Sequence, residues 1–261
     1  MILPFVKYHG TGNDFIIIDN RLNTFTPSSM NISFLCNRNM GIGADGVILF
    51  ENKASFDFSM RYYNSNGFEG SMCGNGGRCI SAFYYNNVAK LYKLRFNAVD
   101  GIHQSEILNI ESKNSLIVKL QMQDVSQVDI FLKDFYLNTG SPHVVQFVKD
   151  VDKVDVVKEG RRIRYSDQYA PEGVNVNFVE IQNKSLYVRT YERGVEDETL
   201  SCGTGVTASA IAASFVDNVS SFDITTRGGN LKVSFQKKEN KITNIWLEGP
   251  ATFVYSGEIE I

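Results

Sequence analysis

Apolar and polar residues alternate over short stretches through most of this chain, the period-two pattern of strands with one buried face. We expect strands at 15–19, 56–63, 94–98, 116–122, 174–181, 186–191, 231–235 and 242–247, with a last run at 252–261 that fits either half. Val99-Asp100-Gly101-Ile102 sets an Asp-Gly pair between two such runs, a type I′ hairpin signal, and Arg227-Gly228-Gly229-Asn230 predicts another turn. Helical patterns are fewer. One covers 29–39, opening at a serine cap and stopping at Gly41, and a second at 152–162 is amphipathic. Two more are expected at 74–86 and 203–216. Ala208, Ala210, Ile211, Ala212 and Ala213 leave the last without a polar face, and a helix apolar on most faces is a buried one.

Those two buried helices begin alike. Ser71-Met72-Cys73-Gly74-Asn75-Gly76-Gly77 and Leu200-Ser201-Cys202-Gly203-Thr204-Gly205-Val206 both read Cys-Gly-polar-Gly, with the cysteines 129 positions apart in a 261-residue chain. Tyr63-Asn64 recurs as Tyr191-Glu192, Arg61 as Arg189, and Thr11-Gly12-Asn13 as Thr139-Gly140-Ser141, each at an offset of 128. Gly46-Val47 recurs as Gly173-Val174 at 127. Separated matches at one nearly constant offset describe a duplicated domain, not a solenoid of short repeats. The predicted fold is α+β: two pseudosymmetric domains, each a strongly curved, mostly antiparallel sheet or barrel around a central helix. The halves are expected at 1–118 and 119–249, and 250–261 could pair back onto the first.

At 43% hydrophobic and 21% charged, the chain has ordinary globular composition, and its length suits two domains. A net charge of −3 offers no electrostatic footprint for nucleic acid. Phe15-Ile16-Ile17-Ile18 is far too short to span a bilayer, and no basic-then-apolar leader opens the chain, so neither a membrane partner nor secretion is expected. Cys36, Cys73, Cys79 and Cys202 show neither Cys-x-x-Cys nor zinc-site spacing. That predicts reduced thiols, a cytoplasmic setting and no metal. A homodimer is compatible with all of this.

A helix N-terminus leaves backbone N–H groups unpaired and carries partial positive charge. It lowers the pKa of a thiol placed there and attracts a carboxylate. Gly74, Gly76, Gly203 and Gly205 keep side chains away from those N–H groups. Two such starts meeting at one substrate would set a thiol on each face of its α-carbon, fit to remove a proton from one face and return one to the other. A single cysteine among glycines is more often a small buried hydrophobe, and Cys36 and Cys79, set in apolar pattern, are expected to be that. The duplication favours chemistry at Cys73 and Cys202. A redox disulfide between them is the reading from another class, although dithiol enzymes use short spacings. A non-catalytic amino-acid binder would leave the paired thiols unexplained.

The chain then carries His9-Gly10-Thr11-Gly12-Asn13-Asp14-Phe15, Gly41-Ile42-Gly43-Ala44-Asp45-Gly46, Tyr63-Asn64, Pro142-His143, Val174-Asn175 and Tyr191-Glu192-Arg193-Gly194, besides the two cysteine motifs. In that order they resemble the diaminopimelate epimerase family, cofactor-independent enzymes that interconvert LL- and meso-diaminopimelate for lysine and peptidoglycan synthesis. The resemblance implies two α/β domains with the active site between them, an amino-acid substrate and no cofactor. It implies that Cys73 and Cys202 are the acid/base pair and that His143 and Glu192 assist them. It further implies that Asn13, Asn64, Ser141, Asn175, Glu192 and Arg193 hold the substrate, and that Gly74-Asn75 and Gly203-Thr204 bind the reacting end. Ser141 stands where many members carry Asn, and Gly46 where many carry Gln. Racemases of other amino acids, such as histidine or proline, share the two-cysteine logic and form the alternative.

Overall fold

A computed structural model describes every residue except Lys184 and Asn240. The chain divides into two compact units, Met1–Leu120 with Gly249–Ile261, and Gln121–Glu248. In the first, β1 (Ile2–Gly10) lies antiparallel to β2 (Asn13–Asp19), and β2 parallel to β3 (Gly46–Glu51). β4 (Phe58–Asn64) is antiparallel to β3 and parallel to β5 (Lys93–Ala98). β6 (Gly101–Ile110) and β7 (Ser115–Gln121) follow antiparallel. The last strand, β16 (Lys241–Glu260), pairs with β7 through 249–252 and with β1 through 252–260, closing an eight-stranded ring.

The helix α2 (Gly74–Asn87) packs on β1, β2, β3, β4 and β6 and is buried from Gly74 to Tyr85. On the other face α1 (Ser29–Cys36) sets Ile32, Leu35 and Cys36 against Ile16, Ile18, Val47 and Leu49. Strands covered on both faces bury every residue instead of alternate ones. That is why 15–18 and 46–50 are unbroken buried runs, and why β3 escapes a search for alternation.

The second unit repeats this order and the sense of each pairing. β8 (Val128–Phe131), β9 (Asp134–Asn138) and β10 (Pro142–Phe147) are antiparallel neighbours, and β10 runs parallel to β11 (Asn175–Gln182). β12 (Ser185–Glu192) is antiparallel to β11, carries the short β13 (Asp197–Thr199), and is parallel to β14 (Ser221–Thr226). β15 (Gly229–Lys238) and the first part of β16 complete it, with a bridge from Ile242 to Val125. The helix α4 (Gly203–Asp217) is buried from Gly203 to Ser214, and α3 (Val156–Arg164) covers Val176, Phe178 and Tyr191. The repeat offset sets 249–260 against 121–132. Yet 249–260 belongs to the first unit and 121–132 to the second, so each unit draws its eighth strand from the other repeat.

Several expectations need correction. The runs at 242–247 and 252–261 are one strand, because pairing with β15, β7 and β1 carries it through Gly249-Pro250. Helix α1 ends at Cys36, where the Asn37 side chain accepts from the N–H groups of Asn39 and Met40. Its cap is Ser28. Helix α3 starts at Val156, capped by Asp155, while Val151–Lys153 is a 3-10 turn. The Asp-Gly hairpin forms without a primed turn: positive φ falls on Gly101 (+124°), past the loop, and its repeat Gly229 does the same (+137°). Finally, Phe15 pairs with Gly46 and its repeat His143 with Asn175. Gly46 therefore corresponds to Asn175, and the Gly46/Gly173 match is out of register.

Candidate active site

Cys73 occupies the N-cap of α2 in extended backbone (φ −104°), and its side chain makes no capping bond. A cysteine is a poor cap, so the sulfur is left for other partners while its carbonyl accepts from Gly77 at 2.7 Å. The Cys73 thiol donates to Asn13 Oδ1 at 3.7 Å. That oxygen also accepts from Asn75 Nδ2 at 3.1 Å, and Asn13 Nδ2 donates to Asp45 at 2.7 Å. The carboxylate can only accept, so it fixes which way the Asn13 amide faces. Asp45 is held by Arg38 at 2.9 Å, and Arg38 also reaches Asp14, which pairs with Lys7 at 2.7 Å. Burial would raise the Asp14 carboxyl, but Arg38 and Lys7 outweigh it and hold it at about 2.

At the inner end of this chain Arg78 is fully buried, donating to Asn75 Oδ1 at 3.0 Å and to the Gly74 carbonyl at 3.3 Å. Its Nε has no hydrogen-bond partner among the described residues. Burial lowers its pKa to about 10, which leaves it charged at neutral pH, and that charge acts on Cys73. A Cβ on Gly10 would lie 3.0 Å from the Arg78 guanidinium and 3.3 Å from the Asn75 carbonyl, so glycine there leaves β1 and the start of α2 closely apposed without crowding.

In the second unit Cys202 is the N-cap of α4, likewise extended (φ −119°) and making no capping bond. Its surroundings differ. Sγ lies 3.4 Å from Thr204 Oγ1, which lies 2.9 Å from His143 Nε2. Asn177 Nδ2 is shared between His143 Nδ1 at 3.1 Å and the Val144 carbonyl at 3.0 Å, and Asn177 Oδ1 accepts from Thr190 at 2.9 Å. His143 is fully buried, and burial, helped by the Arg193 charge, pulls its pKa down to about 3. Thr139 Oγ1 ties the Thr204 carbonyl at 2.8 Å.

The other candidates sit at strand ends. Asn175 Oδ1 accepts from the Arg193 backbone N–H at 2.8 Å, and the Arg193 guanidinium reaches the Glu172 carbonyl at 3.3 Å. Glu192 ends β12, and Asn64 ends β4 in a turn where its carbonyl accepts from Gly67. Ser141 closes a tight turn with Thr139. Hydrogen bonds thus bring Asn13, Cys73, Gly74 and Asn75 into one cluster, His143, Cys202 and Thr204 into another, and Asn175 with Arg193 into a third. At Gly46 a Cβ would strike the Tyr62 ring and come within 2.5 Å of the Tyr63 carbonyl oxygen, so any side chain there forces its neighbours to shift. Cys36 and Cys79 are buried, and burial raises both thiols, Cys36 to about 12.

Asp45, Arg78, Asn177 and Thr190 were not among the residues expected at the site. Neither were Glu69 and Glu198, which pair in bidentate fashion with Arg61 and Arg189. The repeated arginines marked that position, and a glutamate stands four residues before each cysteine.

The family model described as "Diaminopimelate epimerase" matches residues 5–128 and 135–254. A diaminopimelate epimerase of Flavobacterium psychrophilum is 51% identical over 98% of this chain and all of that protein. One from Chlorobaculum tepidum is 40% identical, covering 97% of this chain and 99% of its own. Among solved structures, a phenazine biosynthesis protein of the PhzF family from Bacillus anthracis superposes with a TM-score of 0.80 at 17% identity over the full length of both chains. A probable proline racemase from Agrobacterium radiobacter does so at 0.74 and 13%, covering 99% of this chain and 93% of that one. At such identities these two share the fold alone. The full-length sequence matches show more: the chain is an epimerase and belongs to the diaminopimelate epimerase family.

Proposed function

We propose that this protein interconverts LL- and meso-diaminopimelate by moving a proton at one α-carbon, with Cys73 and Cys202 as its two acid/base groups. The observation that carries this reading is the placement of both sulfurs. Each stands at the N-cap of a buried helix, and neither side chain makes the capping bond. A thiolate takes the α-proton, so that C–H breaks and S–H forms. The other thiol gives its proton to the opposite face, and the thiolate moves from one cysteine to the other. Negative charge developing on the substrate's α-carboxylate meets the N–H groups at the starts of α2 and α4. The reaction so written draws on no cofactor.

Asn13, Asn64, Ser141, Asn175, Glu192 and Arg193 hold the substrate in this reading, Arg193 matching a carboxylate with its fork of donors. Asn75 and Thr204 meet it at the helix starts. His143 enters as a neutral ring, because burial keeps its proton affinity far below that of a free imidazole. Thiols that must stay reduced suit the cytoplasm, and among the described residues no helix is long and apolar enough to cross a membrane. A homodimer is the assembly we propose, to be read by sedimentation.

Proton NMR of the reduced protein in D₂O, with LL-diaminopimelate, histidine and proline in separate samples, tests the reading. Loss of the α-proton signal from diaminopimelate alone is the expected result. Exchange with another amino acid alone would move the substrate to a sibling racemase. No exchange in folded, reduced protein would overturn the reaction and return the paired thiols to a redox role.

A further inference from the structure

Hydrogen-bond donors and acceptors around Cys202 can be assigned one by one, because the chain begins at a group that only accepts. The Val144 carbonyl lies 3.0 Å from the Asn177 amide, so the NH₂ side of that amide must face it. The second N–H of the same group then points to His143 Nδ1, 3.1 Å away, which must accept and therefore carries no proton. The Thr190 hydroxyl on Asn177 Oδ1 at 2.9 Å agrees with this orientation. A neutral imidazole without a proton on Nδ1 carries it on Nε2, and that N–H donates to Thr204 Oγ1 at 2.9 Å. Thr204 is then an acceptor from His143, and its own hydrogen is left for Cys202 Sγ at 3.4 Å.

We infer that Asn177, His143 and Thr204 form a one-way relay that presents a hydroxyl donor to the Cys202 sulfur and stabilises its thiolate. As a contribution to catalysis the relay rests on the two-cysteine reading above, with Asn177 and Thr204 as positioning residues. A donor to the charged form lowers a pKa, and such bonds are worth more to an anion than to a neutral group. His143 is thereby excluded as a proton donor to Cys202: its one proton is committed to Thr204, and its buried ring has no second.

Two elements that precede α4 in the chain carry charged groups. β12 ends in Glu192 with Arg193 beside it, and β13 carries Glu198, paired with Arg189 and Arg227. The relay is absent from the first unit. There Phe15 stands at the place of His143 and Ile48 at that of Asn177, both buried and apolar.

The test reads the thiol, not the reaction. In a Cys73→Ser background Cys202 is titrated by the ultraviolet absorbance of its thiolate, Cys36 and Cys79 being held protonated by burial. Thr204→Val should raise the Cys202 pKa by about one unit or more, and Thr204→Ser should restore it. Asn177→Leu, which frees His143 to take either tautomer, should raise it in the same direction by less. A Cys202 pKa that stays put in Thr204→Val, or one that Thr204→Ser fails to restore, would overturn the relay.

A second measurement needs no folded variant of the relay. Long-range proton–nitrogen correlation NMR of the unsubstituted protein at neutral pH should show His143 protonated on Nε2. A proton on Nδ1 would sink the relay even if epimerisation is intact. Absent epimerisation with the relay confirmed would instead fault the functional reading.

Discussion

The two helix starts share a backbone and differ in the side chain hydrogen-bonded to the sulfur. Cys73 and Cys202 cap buried helices in the same extended conformation, so the field of the helix and its open N–H groups act on both alike. At Cys73 the neighbouring side chain is an acceptor, Asn13 Oδ1, and a buried guanidinium supplies long-range positive charge. At Cys202 the neighbour is a hydroxyl at the end of a neutral relay. The duplication preserved a helix start behind each thiol, and the two repeats surround it differently: a buried guanidinium in one, a chain of hydrogen bonds in the other. On the two-cysteine reading proposed above this difference has a reason, since the two groups would meet different faces of an asymmetric substrate.

The largest effect expected treats the two sites as equals. Cys73→Ala and Cys202→Ala should each lower turnover by about 10²–10⁴-fold, the usual worth of a positioned acid or base. Loss of substrate α-proton signal in D₂O, with circular dichroism to confirm folding, reads it. Near-native turnover in either variant would break the equivalence and the two-base mechanism with it.

The next prediction separates the units. Arg61–Glu69 is a half-exposed pair, with side chains 38% and 36% accessible, whereas Arg189–Glu198 is buried at 6% and 10%. Glu69→Gln should therefore cost under about 1 kcal/mol, as exposed pairs do. Glu198→Gln leaves Arg189 buried beside a neutral group and should cost about 3 kcal/mol. Urea unfolding monitored in both variants gives the comparison directly, and equal losses would refute it.

What the sequence disclosed and what it withheld follow from the same distinction. The motifs at 73–76 and 202–205 are contiguous, so the helix starts, the duplication and the ring-around-a-helix fold could be read without coordinates. β3 could not, because Val47, Ile48, Leu49 and Phe50 are buried on both faces and show no alternation. The break expected at Gly249-Pro250 failed for a related reason: partners far along the chain overrode the local signal. Asn177 and Arg78 were passed over because their roles arise only across strands or turns. Asn177 matters by facing Val144 on the neighbouring strand, and Arg78 by reaching back one helical turn to Gly74 and Asn75. The Gly46/Gly173 match misled because identity in sequence outweighed the one-way register that strand pairing imposes.

The difference between the units should also appear in acid. His143 is held neutral in the folded protein, with its pKa lowered to about 3, whereas an exposed imidazole in the unfolded chain titrates near 6.5. The unfolded state therefore binds the extra proton first, and stability is full above about pH 6.5 and falls as pH drops towards 3. The slope between about pH 6 and pH 5 should approach 1.4 kcal/mol per pH unit from this group. Burial lowers His9 as well, so the unsubstituted protein carries both contributions. His143→Phe, which installs the residue that the first unit carries at this place, isolates the larger one: its unfolding free energy should be flatter over that range by about 1 kcal/mol per unit. Asp14 and Glu196, both held at about 2, lose their contributions only at lower pH. An unchanged slope would mean that His143 takes up a proton without unfolding, and the neutral ring on which the relay depends would go with it.

The smallest expected effect concerns Asp45, which register places opposite Val174 of the second repeat. In the first unit a carboxylate thus orients the amide beside Cys73, where the second repeat has a valine. Asp45 is exposed, so its removal should leave the fold intact, and Arg38 keeps Asp14 as a partner. What Asp45→Ala removes is the one acceptor that tells Asn13 which way to face. The Asn75 N–H on Asn13 Oδ1 still favours the native orientation, so the loss is partial. One neutralised orienting bond of about 1 kcal/mol predicts a fall in kcat/KM of about fivefold. Asp45→Glu, which keeps the acceptor on a longer arm, should recover part of it. A fall as large as that of Cys73→Ala would instead place Asp45 among the groups that touch the substrate.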